Sequence, residues 1–183
     1  DHAGEEHCPF PQTVPVSMYT ISFFSQNCKV QIDTSVNIAY NGKTFIHREG
    51  ATAIRIIQNR RALHQIPELD RQLPLTIEYL RSELEGLGCG LFSPTDGSLC
   101  AWFDFGAKTA IAFRSDADAL PIQEQTKLPY ASCHSGRMHA CGHDGHMAIL
   151  LELARRLNEA ENMEHNILLV FQPAEETTGG ARD

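Results

Sequence analysis

Two stretches in the middle of the chain repeat apolar residues at the three- and four-residue spacing of amphipathic helices. The first is predicted to begin near Ala51 and to end before Pro67, because the residue that precedes a proline disfavours helix. One face of this helix carries four residues: Ile54, Ile57, Arg61 and His64. The second helix is predicted to begin near Pro74 and to end among glycines. Its apolar stripe consists of Ile77, Leu80, Leu84 and Leu87.

Three further stretches and one more helix complete an α/β pattern. "SLCAWFDFG" and "KTAIAFRSD" are predicted to be strands, separated by a glycine-containing turn. A third helix is predicted from about His143 to Asn158. Its apolar side comprises Met147, Leu150, Leu151, Ala154 and Leu157. "HNILLVFQP" is a short apolar run that ends at Pro173, which is typical of a buried strand. The order of these elements indicates an α/β fold.

Residues 1–50 have a different pattern. "VPVSMYTISFF", "KVQIDTSVNIAY" and "KTFIH" have the composition of strands, and "YNGK" is typical of a hairpin turn. No residues that suggest chemistry stand out in this part of the chain. We therefore treat residues 1–50 as an unassigned N-terminal segment, strand-rich or poorly ordered, and predict that the functional domain comprises residues 51–183.

Composition and charge exclude several classes of partner. The chain of 183 residues has a net charge of −8, whereas binding to nucleic acid requires clustered lysine and arginine. No apolar run approaches the ~20 residues that span a bilayer, and no signal peptide is visible. The six cysteines are too widely spaced for a disulfide scaffold, which favours a reduced, cytoplasmic protein. We therefore expect neither a nucleic-acid partner nor a membrane partner.

The segment "HACGHDGH", residues 139–146, concentrates side chains that bind metals. Cys141 and His143 are two residues apart, and both can reach one ion at the point where a loop runs into a helix. A helix N-terminus also lowers the pKa of a cysteine and favours the thiolate. The cluster therefore predicts a metal site. The alternative is a polar loop capped by Asp144, with His139 and His146 exposed to solvent.

Carboxylates follow the two predicted strands on either side of this segment. In "FQPAEE", Glu175 and Glu176 come just after a buried strand, where sites in open α/β sheets lie. Adjacent residues in extended chain point in opposite directions, so one glutamate is expected to bind a metal and its neighbour to act as a general base. In "RSDADALP", the carboxylates of Asp116 and Asp118 could hydrogen-bond the far nitrogen of a ligating histidine. Each motif alone is also typical of a solvated acidic turn.

Four motifs together resemble the metal-dependent amidohydrolases of the aminoacylase and carboxypeptidase-like peptidase superfamily: "RRALHQIPEL", "RSDADALPIQEQT", "GRMHACGHDGHMAILLELA" and "LVFQPAEETTGGAR". The similar branch includes hippurate hydrolases, N-acyl-L-amino acid amidohydrolases and indole-acetyl-amino acid hydrolases. The resemblance covers residues 54–182. It implies part of a mixed-sheet, zinc-peptidase-like catalytic domain with helices packed on the sheet, which hydrolyses the amide bond of N-acyl amino acids.

The resemblance also implies a role for each matched residue. Cys141 corresponds to the residue that bridges two divalent metal ions, for which Zn, Mn or Ni would be suitable. His143 and Glu176 correspond to metal ligands. Glu175 corresponds to the general base, and Asp118 to the aspartate that lies behind the site and orients it.

Some features of that family are expected to lie outside these residues. The family carries further ligand histidines after the "AEE" motif, and also a smaller α/β dimerisation domain. On this resemblance we expect the chain to be an N-terminal fragment, inactive by itself, of an enzyme that could form homodimers. Asp116 occupies a slot where other branches carry a ligand histidine, and that role is expected to have moved to His143.

Other interpretations of the cysteine and histidine cluster remain open. Cys141 could be the nucleophile of a cysteine hydrolase, although this leaves the "AEE" motif and the aspartate pair unexplained. The cluster could instead be a structural zinc module without catalysis, with four protein ligands: His134, His139, Cys141 and His143. The chain could also be an inactive fragment.

Overall fold

The structure is a computed structural model that describes residues 16–20 and 49–182. The strands in these ranges are β1 (Val16–Thr20), β2 (Gly90–Phe92), β3 (Leu99–Phe103), β4 (Ala110–Asp116) and β5 (Asn166–Gln172). The helices are α1 (Glu49–Gln65), α2 (Pro74–Leu84) and α3 (His143–Asn158), followed by a 3₁₀ turn at Gly180–Arg182.

The strands form one mixed sheet in the order β1-β4-β5-β3-β2. β4 is parallel to both of its neighbours, β1 and β5, whereas β3 is antiparallel to β5 and to β2. β3 and β4 are consecutive in the sequence but are not neighbours in the sheet, because β5 lies between them. α3 connects β4 to β5, as a parallel pair requires a crossover connection. The predicted α/β class and mixed sheet are therefore confirmed.

The larger hydrophobic core lies between the sheet and the helices α2 and α3. The predicted stripe of α3 is confirmed, since all five of its residues are buried: Met147, Leu150, Leu151, Ala154 and Leu157. In α2, Leu80 and Leu84 are fully buried, and Ile77 packs at the edge of the same core. A smaller cluster forms from alternate strand positions, which point to the other face of the sheet: Cys100, Trp102, Ala110, Ala112 and Leu168.

The face predicted for α1 is wrong in part. His64 is buried, but Ile54 and Ile57 are 56% and 47% exposed. α1 packs against α3 through charged groups, including the contact between Arg55 Nε and Glu152 Oε2 at 3.2 Å. The position of α1 therefore depends on ion pairs as well as on apolar contacts, and a pattern of apolar residues does not reveal ion pairs.

The remaining elements compare with the prediction as follows. β1 lies within the predicted strand "VPVSMYTISFF", while "KVQIDTSVNIAY", "KTFIH" and the "YNGK" turn lie outside the described residues. The short strand β2 was not predicted. Across residues 16–20 and 49–182, no helix has the length and apolar character needed to cross a membrane.

Candidate metal centre

The candidate site lies beyond the C-terminal ends of β4 and β5. These strands are in register, with Asp116 at the end of β4 opposite Gln172 at the end of β5. α3 begins at His143, next to the same edge of the sheet. Residues 116–118, 141–143 and 175–176 therefore come together, as the position of sites in open α/β sheets leads one to expect.

The connection between Cys141 and His143 is made by Gly142, which precedes the first turn of α3. Its φ is 92°, in the left-handed region where a side chain would be strained. His143 Nδ1 lies 2.8 Å from the backbone oxygen of Asp118. A carbonyl can only accept a hydrogen bond, so Nδ1 carries a proton, and in the neutral imidazole Nε2 then has the lone pair that can bind a metal. The sequence predicts that a carboxylate of Asp116 or Asp118 accepts this hydrogen bond, but the backbone oxygen of Asp118 takes that place, and Asp118 Oδ1 is more distant from Nδ1, at 3.8 Å.

Glu175 and Glu176 lie in a turn and not in extended chain. Ala174 before them has a φ of 59°. The backbone N–H of Glu175 donates to Asp118 Oδ1 at 3.1 Å, and that of Glu176 donates to Asp118 Oδ2 at 3.0 Å. Asp118 is fully buried. Its single carboxylate therefore holds the backbone of both glutamates through hydrogen bonds that are shielded from water.

Both glutamate side chains face His143, so the prediction that they point in opposite directions is wrong. His143 Nε2 lies 3.9 Å from Glu175 Oε2 and 4.0 Å from Glu176 Oε1. The alternation of an extended chain does not apply, because the left-handed conformation of Ala174 and the contacts with Asp118 turn the backbone.

Two groups of candidate ligand atoms share His143. Cys141, His143 and Glu176 place one ligand atom each within 4.8 Å of one another, and so do Asp116, His143 and Glu175. Sulfur, imidazole nitrogen and carboxylate oxygen form a donor set that suits zinc and similar ions. Within the described residues each group offers three protein ligands, and neither group is a structural zinc motif of four cysteines or histidines.

Asp116 was not expected to be a ligand, yet it lies in the second group. Arg114 Nη1 lies 3.1 Å from Asp116 Oδ1 without the angle of a hydrogen bond. Burial raises the pKa of Asp116, while the positive charge of Arg114 opposes that shift. The signal was present in the sequence, since Asp116 ends a strand at the same edge of the sheet as the "AEE" motif.

Comparisons with known proteins match the same region. Residues 112–183 match the family described as peptidase family M20/M25/M40. A solved Bacillus subtilis structure, described as a dinuclear metal binding peptidase from the M20 family, is 40% identical with a TM-score of 0.69. The alignment covers 73% of this chain and 39% of that one. The matched part of the chain is therefore similar to peptidases of family M20/M25/M40.

Other relatives match a similar share of the chain. An uncharacterized hydrolase of Staphylococcus epidermidis is 42% identical over 126 residues, which cover 67% of this chain and 33% of that protein. The aminobenzoyl-glutamate utilization protein of Klebsiella pneumoniae is 25% identical, with a TM-score of 0.57, and the match covers 73% of this chain and 40% of that one. The chain thus spans 33% of the length of the first curated relative that it matches.

The thiol of Cys141 is not activated by its position before α3. Burial raises its pKa to about 12, and the nearby carboxylate of Glu176 contributes in the same direction. The expected lowering by the helix N-terminus is therefore outweighed. A protonated thiol is a poor nucleophile, which counts against a cysteine hydrolase. A coordinating cation would displace the proton, so the thiol still fits a metal site.

The rest of "HACGHDGH" is not a solvated polar loop. Asp144 is fully buried, with Oδ2 3.2 Å from Arg60 Nε and 2.7 Å from His64 Nδ1. His139 is buried, which lowers its pKa to about 4, and His146 is half-buried. The prediction had assigned no part in this region to Arg60 or to His64, because α1 is remote in sequence from α3.

The structural zinc module does not form in the described part of the chain. His134 Nδ1 lies 2.8 Å from the backbone oxygen of Pro67 and is directed there. Within residues 49–182, neither His134 nor His139 falls in a group with Cys141 and His143 that could hold an ion. The geometry therefore favours the carboxylate-containing site.

Proposed function

We propose that the protein is a metal-dependent hydrolase that cleaves the amide bond of N-acyl amino acids. The observation that carries this proposal is the position of His143 Nε2, which lies 3.9 Å from Glu175 and 4.0 Å from Glu176 in a cluster that includes Cys141. The substrate class rests on the resemblance of the four sequence motifs. The chain spans 33% of a relative's length, so this activity is proposed for the whole protein.

The proposed cofactors are two divalent ions, with Zn, Mn or Ni suited to the donor atoms. Cys141, His143 and Glu176 would hold one ion, and Asp116, which is grouped with His143, offers a further carboxylate for the second. On the resemblance of the motifs, Cys141 would serve both ions. When bound, the ions would supply Lewis acidity that polarises an amide carbonyl and lowers the pKa of water. The B. subtilis relative described as dinuclear supports this part of the proposal.

Glu175 is the proposed general base. Its side chain is 42% exposed, whereas that of Glu176 is 24% exposed, so Glu175 is the more accessible to substrate and water. Its carboxylate would take a proton from water as the oxygen adds to the amide carbon. The C–N bond then breaks, and the same proton passes from Glu175 to the leaving amine. Asp118 would orient Glu175 and Glu176 through their backbone N–H groups.

The test compares the wild type and Glu175→Gln in the longest form of the protein that the gene encodes. Hydrolysis of N-acyl amino acids is followed after removal of metal with a chelator and after reloading with Zn, Mn or Ni. The wild type should lose activity and regain it, whereas Glu175→Gln should stay inactive with a normal metal content. Near-normal turnover by Glu175→Gln would show that the assignment of the base is wrong.

A cytoplasmic location and a homodimeric assembly are further parts of this proposal. A reducing compartment would keep Cys141 free to bind metal, since the thiol is otherwise open to oxidation. Cell fractionation tests the location, and light scattering after size-exclusion chromatography tests the assembly.

A further inference from the structure

A cavity of about 390 Å³ opens beside Cys141, on the side of α1. Its size is in the range of small-molecule sites, which begins at about 300 Å³. Apolar and aromatic side chains form part of the wall: Leu128, Tyr130 and Met138. The polar part of the wall contains Arg60, His64, Thr126 and His139. The cavity thus joins an apolar surface to a small number of polar groups, next to a candidate metal ligand.

His139 is the unusual member of this wall. Its residue surface is 3% exposed, and neither Nδ1 nor Nε2 has a hydrogen-bond partner among the described residues. Its ring lies near that of His64, with centroids 6.5 Å apart. A neutral imidazole has one N–H donor and one lone-pair acceptor. Leaving both unsatisfied in a buried position lowers stability, so such groups in proteins usually have a partner or a function.

The charged groups around the cavity are already paired with one another. Asp144 lies against Arg60 Nε at 3.2 Å and against His64 Nδ1 at 2.7 Å. His64 Nε2 faces Glu124 Oε1 at 3.4 Å. A charged ligand would have to compete with these contacts. A neutral ligand that offers a hydrogen bond to His139 and an apolar body to Leu128 and Tyr130 would not.

We propose that this cavity is a substrate subsite that takes a neutral apolar group with one hydrogen-bonding substituent, and that His139 is the residue that selects for that substituent. The description of the cavity as part of the substrate site rests on the proposed function. The binding preference does not, because it depends only on His139 and on the walls of the cavity.

The test uses two neutral probes of nearly equal shape, 4-methylphenol and 1,4-dimethylbenzene, of which only the first carries a hydrogen-bonding substituent. They are titrated into the metal-free 183-residue chain, and the imidazole nitrogens are observed by NMR. The wild type should bind the hydroxyl compound about two- to tenfold more tightly, the range expected for one neutral hydrogen bond. The signals of His139 should shift during the titration.

Two variants test the role of the imidazole. His139→Leu should bind both probes equally, and its midpoint of thermal unfolding should be unchanged or higher, because the substitution removes two unsatisfied buried atoms. His139→Gln retains a donor and an acceptor and should keep part of the preference. The matched control is His165→Gln. His165 directly precedes β5, contacts Thr109 and does not line this cavity. It should keep the full preference.

Several results would overturn the proposal. One is equal affinity of the wild type for both probes, which would mean that His139 does not select for the hydroxyl group, and another is binding of neither probe, which would mean that the cavity holds water only. Others are a preference that survives in His139→Leu, or chemical-shift changes centred on the separate groove around residues 93–98. A zinc titration distinguishes failure of this proposal from failure of the proposed function. His139→Leu should bind zinc with wild-type stoichiometry. Failure of the wild type to bind zinc would contradict the metal site and leave the measured preference intact.

Discussion

His64 Nδ1 lies 2.7 Å from Asp144 Oδ2, and both side chains are buried. This contact joins the last turn of α1 to the first turn of α3, immediately after the candidate ligand His143. Arg60 adds a second donor to the same carboxylate oxygen at 3.2 Å. The position of His143 therefore depends on a helix that contributes none of the candidate ligand atoms.

We first predict that Asp144→Ala destabilises the chain by about 3–5 kcal/mol, because removing one partner leaves a buried polar group without compensation. Urea denaturation measures the change. The matched control is Glu161→Ala, an exposed carboxylate, which should change the free energy of unfolding by less than about 0.5 kcal/mol. A loss of stability in Asp144→Ala no greater than in the control would contradict the role given to this contact.

Asp118→Asn should weaken metal binding by about 10- to 100-fold, the usual effect of changing a group that orients metal ligands. Asparagine keeps one oxygen acceptor but turns an NH₂ group towards the backbone N–H of Glu175 or Glu176. Competition against a fluorescent zinc chelator gives the affinity. Asp96→Asn, on an exposed turn, is the control and should bind zinc like the wild type. Unchanged affinity in Asp118→Asn would mean that the glutamate turn forms without it.

Cys141→Ser should reduce zinc affinity at least about tenfold, since a hydroxyl is a harder and weaker ligand than a thiolate. Cys133→Ser is a matched control, because Cys133 is an exposed free cysteine outside both candidate ligand groups. Isothermal titration calorimetry in the presence of a competing chelator measures both. Equal affinities would remove Cys141 from the ligand set.

Two glycines offer opposite predictions. A Cβ at Gly180 would lie 2.1 Å from the backbone oxygen of Pro173, so Gly180→Ala must displace the turn that carries Glu175 and Glu176. We expect a loss of stability of about 1–3 kcal/mol together with weaker zinc binding. Gly145→Ala, inside α3 with no atom within 4 Å of the new Cβ, should stabilise the chain by up to about 1 kcal/mol. Urea denaturation of both variants checks the contrast.

The elements predicted best from the sequence are those with a strong apolar period. α3 and β5 lie almost where expected, because one buries a continuous stripe and the other an apolar run. The insertion of β5 between β4 and β3 depends on non-local pairing, which periodicity does not encode. The exposed face of α1 was missed because charged contacts with α3 help to set its orientation.

The candidate site could be predicted in composition but not in geometry. Cys141, His143 and Glu176 are brought together as the motifs indicated, although their roles as ligands remain a prediction. The common orientation of Glu175 and Glu176 depends on a left-handed alanine and on two hydrogen bonds to a residue more than fifty positions earlier. Neither feature has a local sequence signal that spacing rules would recognise.

The connection of the parallel strands β4 and β5 by α3 also has a consequence for how the candidate site assembles during folding. The candidate ligand atoms and Asp118 all lie between residues 116 and 176, within β4, α3, β5 and their connections. Loop-closure entropy grows only slowly with the length of the closed segment, and here one crossover brings the ends of β4 and β5 to the same edge of the sheet. Docking of β5 beside β4 would therefore bring the described cluster together, and the pairing of β2 with β3 contributes no candidate ligand to it.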